Sequence, residues 1–97
     1  MNLFLLPPSD AELDQAIEYY NYQVNQLGND FYSDFIHAVD LIKLFPLAWV
    51  KIGTHTRKMH LKRFPYMLFY IIDGENLLIT CIAHQHRSPE YYIDRII

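Results

Sequence analysis

The densest run of charged and titratable side chains is Arg57-Lys58-Met59-His60-Leu61-Lys62-Arg63. If the run is extended, alternation puts Arg57, Met59, Leu61 and Arg63 on one face and Lys58, His60 and Lys62 on the other. The second set is a basic stripe with one titratable imidazole. It can hold phosphates by point charge and charge-assisted hydrogen bonds. The same pattern also suits a solvated edge strand whose lysines prevent edge-to-edge pairing.

A second group, His84-Gln85-His86-Arg87, follows an apolar run, in the kind of loop where functional side chains tend to be placed. His84 and His86 are two residues apart and can face the same way. A metal would need further ligands from Cys81 or His60, and the spacing matches no zinc pattern, so neither metal nor cofactor is expected. His84 also suits a buried imidazole bonded to the backbone. Arg87 can bind phosphate, or it can pair with Glu90 or Asp94 and pack the last segment. Tyr91 and Tyr92 precede Arg95: a Tyr beside an Arg can stack on a base or orient a phosphate, or simply dock a terminal helix. Cys81 lies in the apolar run and reads as an inert core residue. There is no glycine-rich phosphate loop, nucleophile elbow or paired-carboxylate motif.

The elements that position these groups are readable from periodicity. Asn2 to Leu6 reads as a short strand closed by Pro7-Pro8. Ser9-Asp10-Ala11-Glu12 has the form of a capping box. A helix follows over about 10–27, with Leu13, Ala16, Ile17, Tyr20, Val24 and Leu27 on its face and Gly28 as its stop. Asn29 or Asp30 is placed to cap a second helix, which carries Phe31, Phe35, Ala38 and Phe45 and ends at Pro46. So short a link makes the two an antiparallel hairpin. Residues 47–56 look irregular. The period then becomes two: Lys58 to Lys62, Tyr66 to Ile72 and Leu77 to Ala83 read as an antiparallel meander, with a hairpin turn at Asp73-Gly74-Glu75-Asn76. Ser88-Pro89-Glu90 starts a short terminal helix over about 89–96. The order β-α-α-β-β-β-α is an α+β fold, a helical hairpin packed on a small antiparallel sheet, with residues 1–97 as one domain.

Composition narrows the class. With 97 residues, 52% hydrophobic and 20% charged, the chain is neither disordered, nor a coiled coil, nor low-complexity. One cysteine allows no internal disulfide, so a reducing cytoplasm is the expected compartment. The longest apolar stretch, Met67 to Ile72, is far below the roughly 20 residues of a membrane span, and the first residues lack a basic region, so no membrane contact and no signal peptide are expected. The net charge of −3 is unevenly spread: residues 1–50 sum to −6 and residues 51–97 to +3. The second half reads either as ordinary solvated faces or as a surface for an anionic partner.

Arg57, then Leu61-Lys62-Arg63-Phe64-Pro65-Tyr66, Tyr70, and Ala83-His84-Gln85-His86-Arg87-Ser88-Pro89-Glu90-Tyr91-Tyr92 with Arg95 resemble the ParE/RelE toxin superfamily of bacterial toxin–antitoxin modules. The R-F-P-Y segment and the A-H-x-x-R-x-P-x-Y-[WY]-x-x-R ending are similar to its ParE-type branch, with Tyr92 where Trp is usual. Tyr19-Tyr20, Leu27-Gly28, Phe31 and Phe45-Pro46 fit the family's helical hairpin.

The resemblance implies a small cytoplasmic toxin, linked to plasmid stabilisation and growth inhibition and neutralised by a cognate antitoxin. Apolar side chains too numerous for so small a core would be covered by that antitoxin, in a toxin–antitoxin hetero-oligomer, or by a second copy in a homodimer. Two targets occur in such toxins. ParE-type members poison DNA gyrase. RelE-type members cleave mRNA on the ribosome, and here Arg63, His84, Arg87 and Tyr91 would carry the catalysis, with Lys58, His60, Lys62 and Arg95 binding. RelE-type enzymes resemble strongly basic proteins, and 8 basic residues in a chain of net charge −3 give weak attraction to RNA. The ParE-type, non-enzymatic reading is therefore the expectation; a family member without toxicity is the remaining alternative. On the ParE-type reading Arg87 and Arg95 dock the terminal helix, and Arg87→Ala lowers the thermal midpoint.

Overall fold

A computed structural model describes residues 1–97. Strand β1 (Asn2–Leu5) leads into helices α1 (Ser9–Gln23) and α2 (Leu27–Leu44). Strands β2 (Val50–Lys51), β3 (Arg57–His60), β4 (Tyr66–Asp73) and β5 (Asn76–His84) follow. The chain closes on two single 3-10 turns, Pro89–Tyr91 and Ile93–Arg95. The sheet order is β1-β5-β4-β3-β2. The meander β3-β4-β5 is antiparallel as expected, and Asp73 pairs with Asn76 across a tight turn in which Gly74 takes φ +59°. No helix is long and apolar enough to cross a membrane.

Four details differ from the sequence expectation. The sheet is mixed, because β1 runs parallel to β5, with Leu3 beside Leu77 and Leu5 beside Ile79. Short-range patterning carries no information about a partner more than 70 residues away. A fifth strand, β2, lies in the segment expected to be irregular, and two residues are too few to show a period. The terminal segment forms two 3-10 turns in place of one helix. The break between the helices also falls earlier: Gln26 supplies the left-handed turn at φ 65°, and Gly28 sits inside the first turn of α2. Asn29 and Asp30 therefore lie within α2 and do not cap it. Gly28 is required by proximity. A Cβ there would stand 2.1 Å from the Ile17 carbonyl oxygen, and its N–H donates to Asn21 Oδ1 at 2.8 Å.

The helices cover one face of the sheet. Phe31, Phe35, Val39 and Ile42 pack with Leu68, Tyr70, Leu77, Ile79 and Ile82. The opposite face holds Met67, Phe69, Cys81 and Ala83, covered by Ile52, Tyr92 and Ile96. The two central strands are thus buried on both sides, which explains their unbroken apolar runs. The register shifts between Phe69 and Tyr70: Phe69 faces Cys81, Tyr70 faces Ile79, and Thr80 is the extra residue. This bulge turns Ile82 onto the same face as Ile79.

Candidate functional site

The site grows from the first turn of α1. Ser9 and Glu12 do not form the expected capping box. The buried Ser9 hydroxyl lies 2.6 Å from the Leu6 carbonyl oxygen and 2.9 Å from that of Ile79, so it ties the helix start to β5. Glu12 points the same way. It lies one turn before Ala16, on the stripe that faces the sheet, and its side chain is only 5% exposed.

That carboxylate gathers three elements. Glu12 Oε1 accepts the Ile82 N–H at 2.9 Å, an edge position on β5 past the end of β1. Arg95 donates to Oε1 at 2.8 Å and to Oε2 at 2.9 Å, and also to the Thr80 carbonyl oxygen at 3.1 Å. The Tyr91 hydroxyl donates to Oε2. A buried carboxylate demands such compensation, and the bidentate guanidinium with two further donors supplies it. The Glu12 carboxylate in turn raises the pKa of Arg95, which stays charged. Burial, with the bond to Glu12, raises that of the Tyr91 hydroxyl.

Above this junction lies a cavity of about 280 Å³ whose walls include Tyr19, Tyr66, His84, Arg87 and Tyr91. The Arg87 guanidinium stacks 4.0 Å over the Tyr91 ring, and the Arg95 guanidinium lies 4.9 Å from the same ring. Arg87 is exposed and pairs with neither Glu90 nor Asp94; the fold's ion pairs are Arg95–Glu12 and Arg63–Asp30. His84 Nδ1 accepts the His86 N–H at 3.1 Å, which leaves Nε2 as the free ring nitrogen, and its ring meets the Tyr66 ring edge-on.

The other sequence candidates go elsewhere. Lys58 and His60 lie on the sheet face away from the helices, opposite Phe69 and Met67 in register. The strand ends at His60, so Lys62 leaves the expected stripe and lines a separate hollow with Ser33, His37 and Arg63. Arg63 reaches Asp30 on α2 at 3.9 Å, while Asp34 accepts the N–H groups of Arg63 and Phe64 at 2.9 and 3.1 Å. Arg57 donates to the carbonyls of Leu47 and Trp49. Of the expected catalytic set, His84, Arg87 and Tyr91 share one cavity and Arg63 stands apart. Cys81 is buried, and its thiol is pushed up to about 12 by desolvation, consistent with an inert core residue. No three His, Cys, Asp or Glu side chains cluster as a metal site would require.

Glu12 is what sequence reasoning missed. The available signal was its place on the apolar stripe of α1, one residue before Leu13 and four before Ala16.

The family model of the ParE toxin of the type II toxin–antitoxin system, parDE, matches residues 3–89. This chain belongs to the ParE toxin family. The match covers α1, α2 and all of the sheet but Asn2, and stops before Tyr91 and Arg95, so the C-terminal half of the Glu12 junction is seen in this chain's own structure. The fold is also similar to a solved structure described as the chromosomal ParDE TA system from P. aeruginosa. The TM-score is 0.73 at 17% identity, over 87% of this chain and 95% of that one. A comparison with curated proteins gave no match.

Proposed function

We propose that this ParE-family chain is the toxin of a type II module, that it arrests growth in the cytoplasm through DNA gyrase without catalysing RNA cleavage, and that a cognate antitoxin neutralises it. The family supplies the toxin class, and the gyrase target is what the ParE-type resemblance implies. The observation that carries the choice against ribonuclease chemistry is the commitment of Tyr91 and Arg95 to Glu12. Cleavage at a 2′-hydroxyl needs a base, an acid for the leaving oxygen and cations on the phosphate, all aimed at one point. Here the Tyr91 hydroxyl is already donated to a carboxylate and Arg95 is neutralised by it, while Arg63 lies outside the cavity that holds His84 and Arg87.

One observation favours the RelE-like reading as second: His84 and Arg87 line one cavity, each with a free polar end.

Induced expression in a bacterium, with and without the gene adjacent to this one, tests the proposal. Arrest that the neighbouring product relieves, with inhibited supercoiling and intact mRNA, is expected. Normal growth on induction of soluble, folded protein overturns it and favours a non-toxic member.

A further inference from the structure

Strands β2 and β3 bring Lys51 directly opposite Arg57. Residues opposite each other in an antiparallel pair carry their side chains on one face, and like charges there repel. No carboxylate pairs with either cation: the fold's ion pairs are Arg95–Glu12 and Arg63–Asp30, and between Asp40 and Asp73 the sequence has no Asp or Glu. The two cations share a hollow of about 190 Å³ with Thr54 and His55. Leu47 and Ile72 are its apolar walls. Asp73 lines an adjoining cavity with His55 and Ile72, and not this one. The hollow lies by Ile72, near the end of β4, whereas the cavity above Glu12 lies by Tyr66, at its start.

Its donors are held in place. Arg57 Nη1 donates to the Leu47 and Trp49 carbonyl oxygens at 3.3 and 2.8 Å, which leaves Nε and Nη2 without a protein partner. The His55 and Thr56 N–H groups donate to the Ile97 carbonyl oxygen at 2.7 and 2.9 Å, and the Ile52 N–H donates to that of Thr56 at 2.9 Å. The turn that carries Thr54 and His55 is thus tied down before any ligand arrives, which lowers the cost of binding one.

We propose that this hollow is a phosphate site, which takes a phosphate monoester or free inorganic phosphate. Lys51 and the free edge of Arg57 hold the oxyanion, and the Thr54 hydroxyl and the His55 ring are further donors. An anion seated between the two cations turns their repulsion into attraction, and the apolar walls strengthen it by excluding water. A single phosphate group suits the site better than a nucleic-acid strand. Four polar side chains converge on one small space, and residues 1–50, at net −6, repel a polyanion. The site does not depend on the toxin reading.

The test follows the NMR spectrum and the melting curve of the full chain with inorganic phosphate, phenyl phosphate or a short DNA duplex added. Sodium chloride at about 0.15 M screens non-specific attraction. Saturable shifts at Lys51, Thr54, His55 and Arg57 with phosphate are expected, with a higher midpoint than in chloride alone. Tighter binding of phenyl phosphate identifies an ester as the ligand, and equal binding identifies the free ion. Lys51→Gln should weaken phosphate binding about tenfold through loss of one charge-assisted contact. In chloride alone the same variant should melt slightly higher than the parent, because the repulsion across the strands is gone. Lys51 is exposed, so the variant keeps the fold. Shifts spread over the other lysines, no saturation, or DNA that displaces phosphate overturns the proposal. So does a Lys51→Gln variant that binds phosphate as the parent does, or that melts lower than the parent in chloride.

Discussion

Arg95 grips Glu12 through both guanidinium nitrogens, at 2.8 and 2.9 Å, across 83 residues of chain. The pair joins the start of α1 to the last turn, with β5 held between them through the Ile82 N–H and the Thr80 carbonyl. Removing one partner leaves the other buried and uncompensated. Arg95→Ala is expected to cost about 3–5 kcal/mol in urea unfolding, as for other buried pairs broken on one side. A loss below 1 kcal/mol would show that the junction is not structural.

Arg87→Ala should behave differently. Its guanidinium is exposed and stacks on the Tyr91 ring face, a contact of about 0.5–1 kcal/mol. A small drop in the thermal midpoint is expected, well under that of Arg95→Ala. Equal losses for the two variants would mean that Arg87 has a buried role the fold does not display.

Gly28→Ala reverses the usual sign. In an open helix this change stabilises by up to about 1 kcal/mol. Here the new methyl meets the Ile17 carbonyl oxygen and the Asn21 side chain, so the helices must part. Unfolding at lower urea than the parent is expected, and a gain in midpoint would remove the close approach as the reason for glycine.

The central strands were legible because burial on both faces leaves an unbroken apolar run, and the β4–β5 turn because Asp73-Gly74 marks it. Gly28 misled. Glycine serves equally as a left-handed stop or as a gap for a neighbouring backbone, and only the crossing of the helices separates the two uses. Glu12 misled in the same way: Ser9 and Glu12 have capping-box spacing, yet both turn toward β5, a partner 70 residues away in sequence. Likewise His84, Arg87 and Tyr91 were named from sequence, while the carboxylate that occupies Tyr91 was not.

Alkaline pH should weaken the fold. Burial raises the pKa of Cys81 from 9.0 to about 12, and it raises those of Tyr20, Tyr66, Tyr70 and Tyr91 above 10.0. The folded state then keeps protons that the unfolded chain releases. The resulting stability is fully present below about pH 9 and is lost as pH rises toward 12. Urea midpoints should be level from pH 7 to 8.5 and fall steadily above it. A midpoint that rises through pH 10–11 contradicts the burial of these groups.

The central claim, a ParE-family toxin that works by contact with gyrase and not by cleaving RNA, is tested most directly by one paired assay on the purified chain. DNA supercoiling by gyrase and mRNA integrity on translating ribosomes are followed in parallel. Inhibited supercoiling with intact mRNA is the predicted result. Ribosome-dependent cleavage that Arg87→Ala abolishes, with supercoiling untouched, would contradict it.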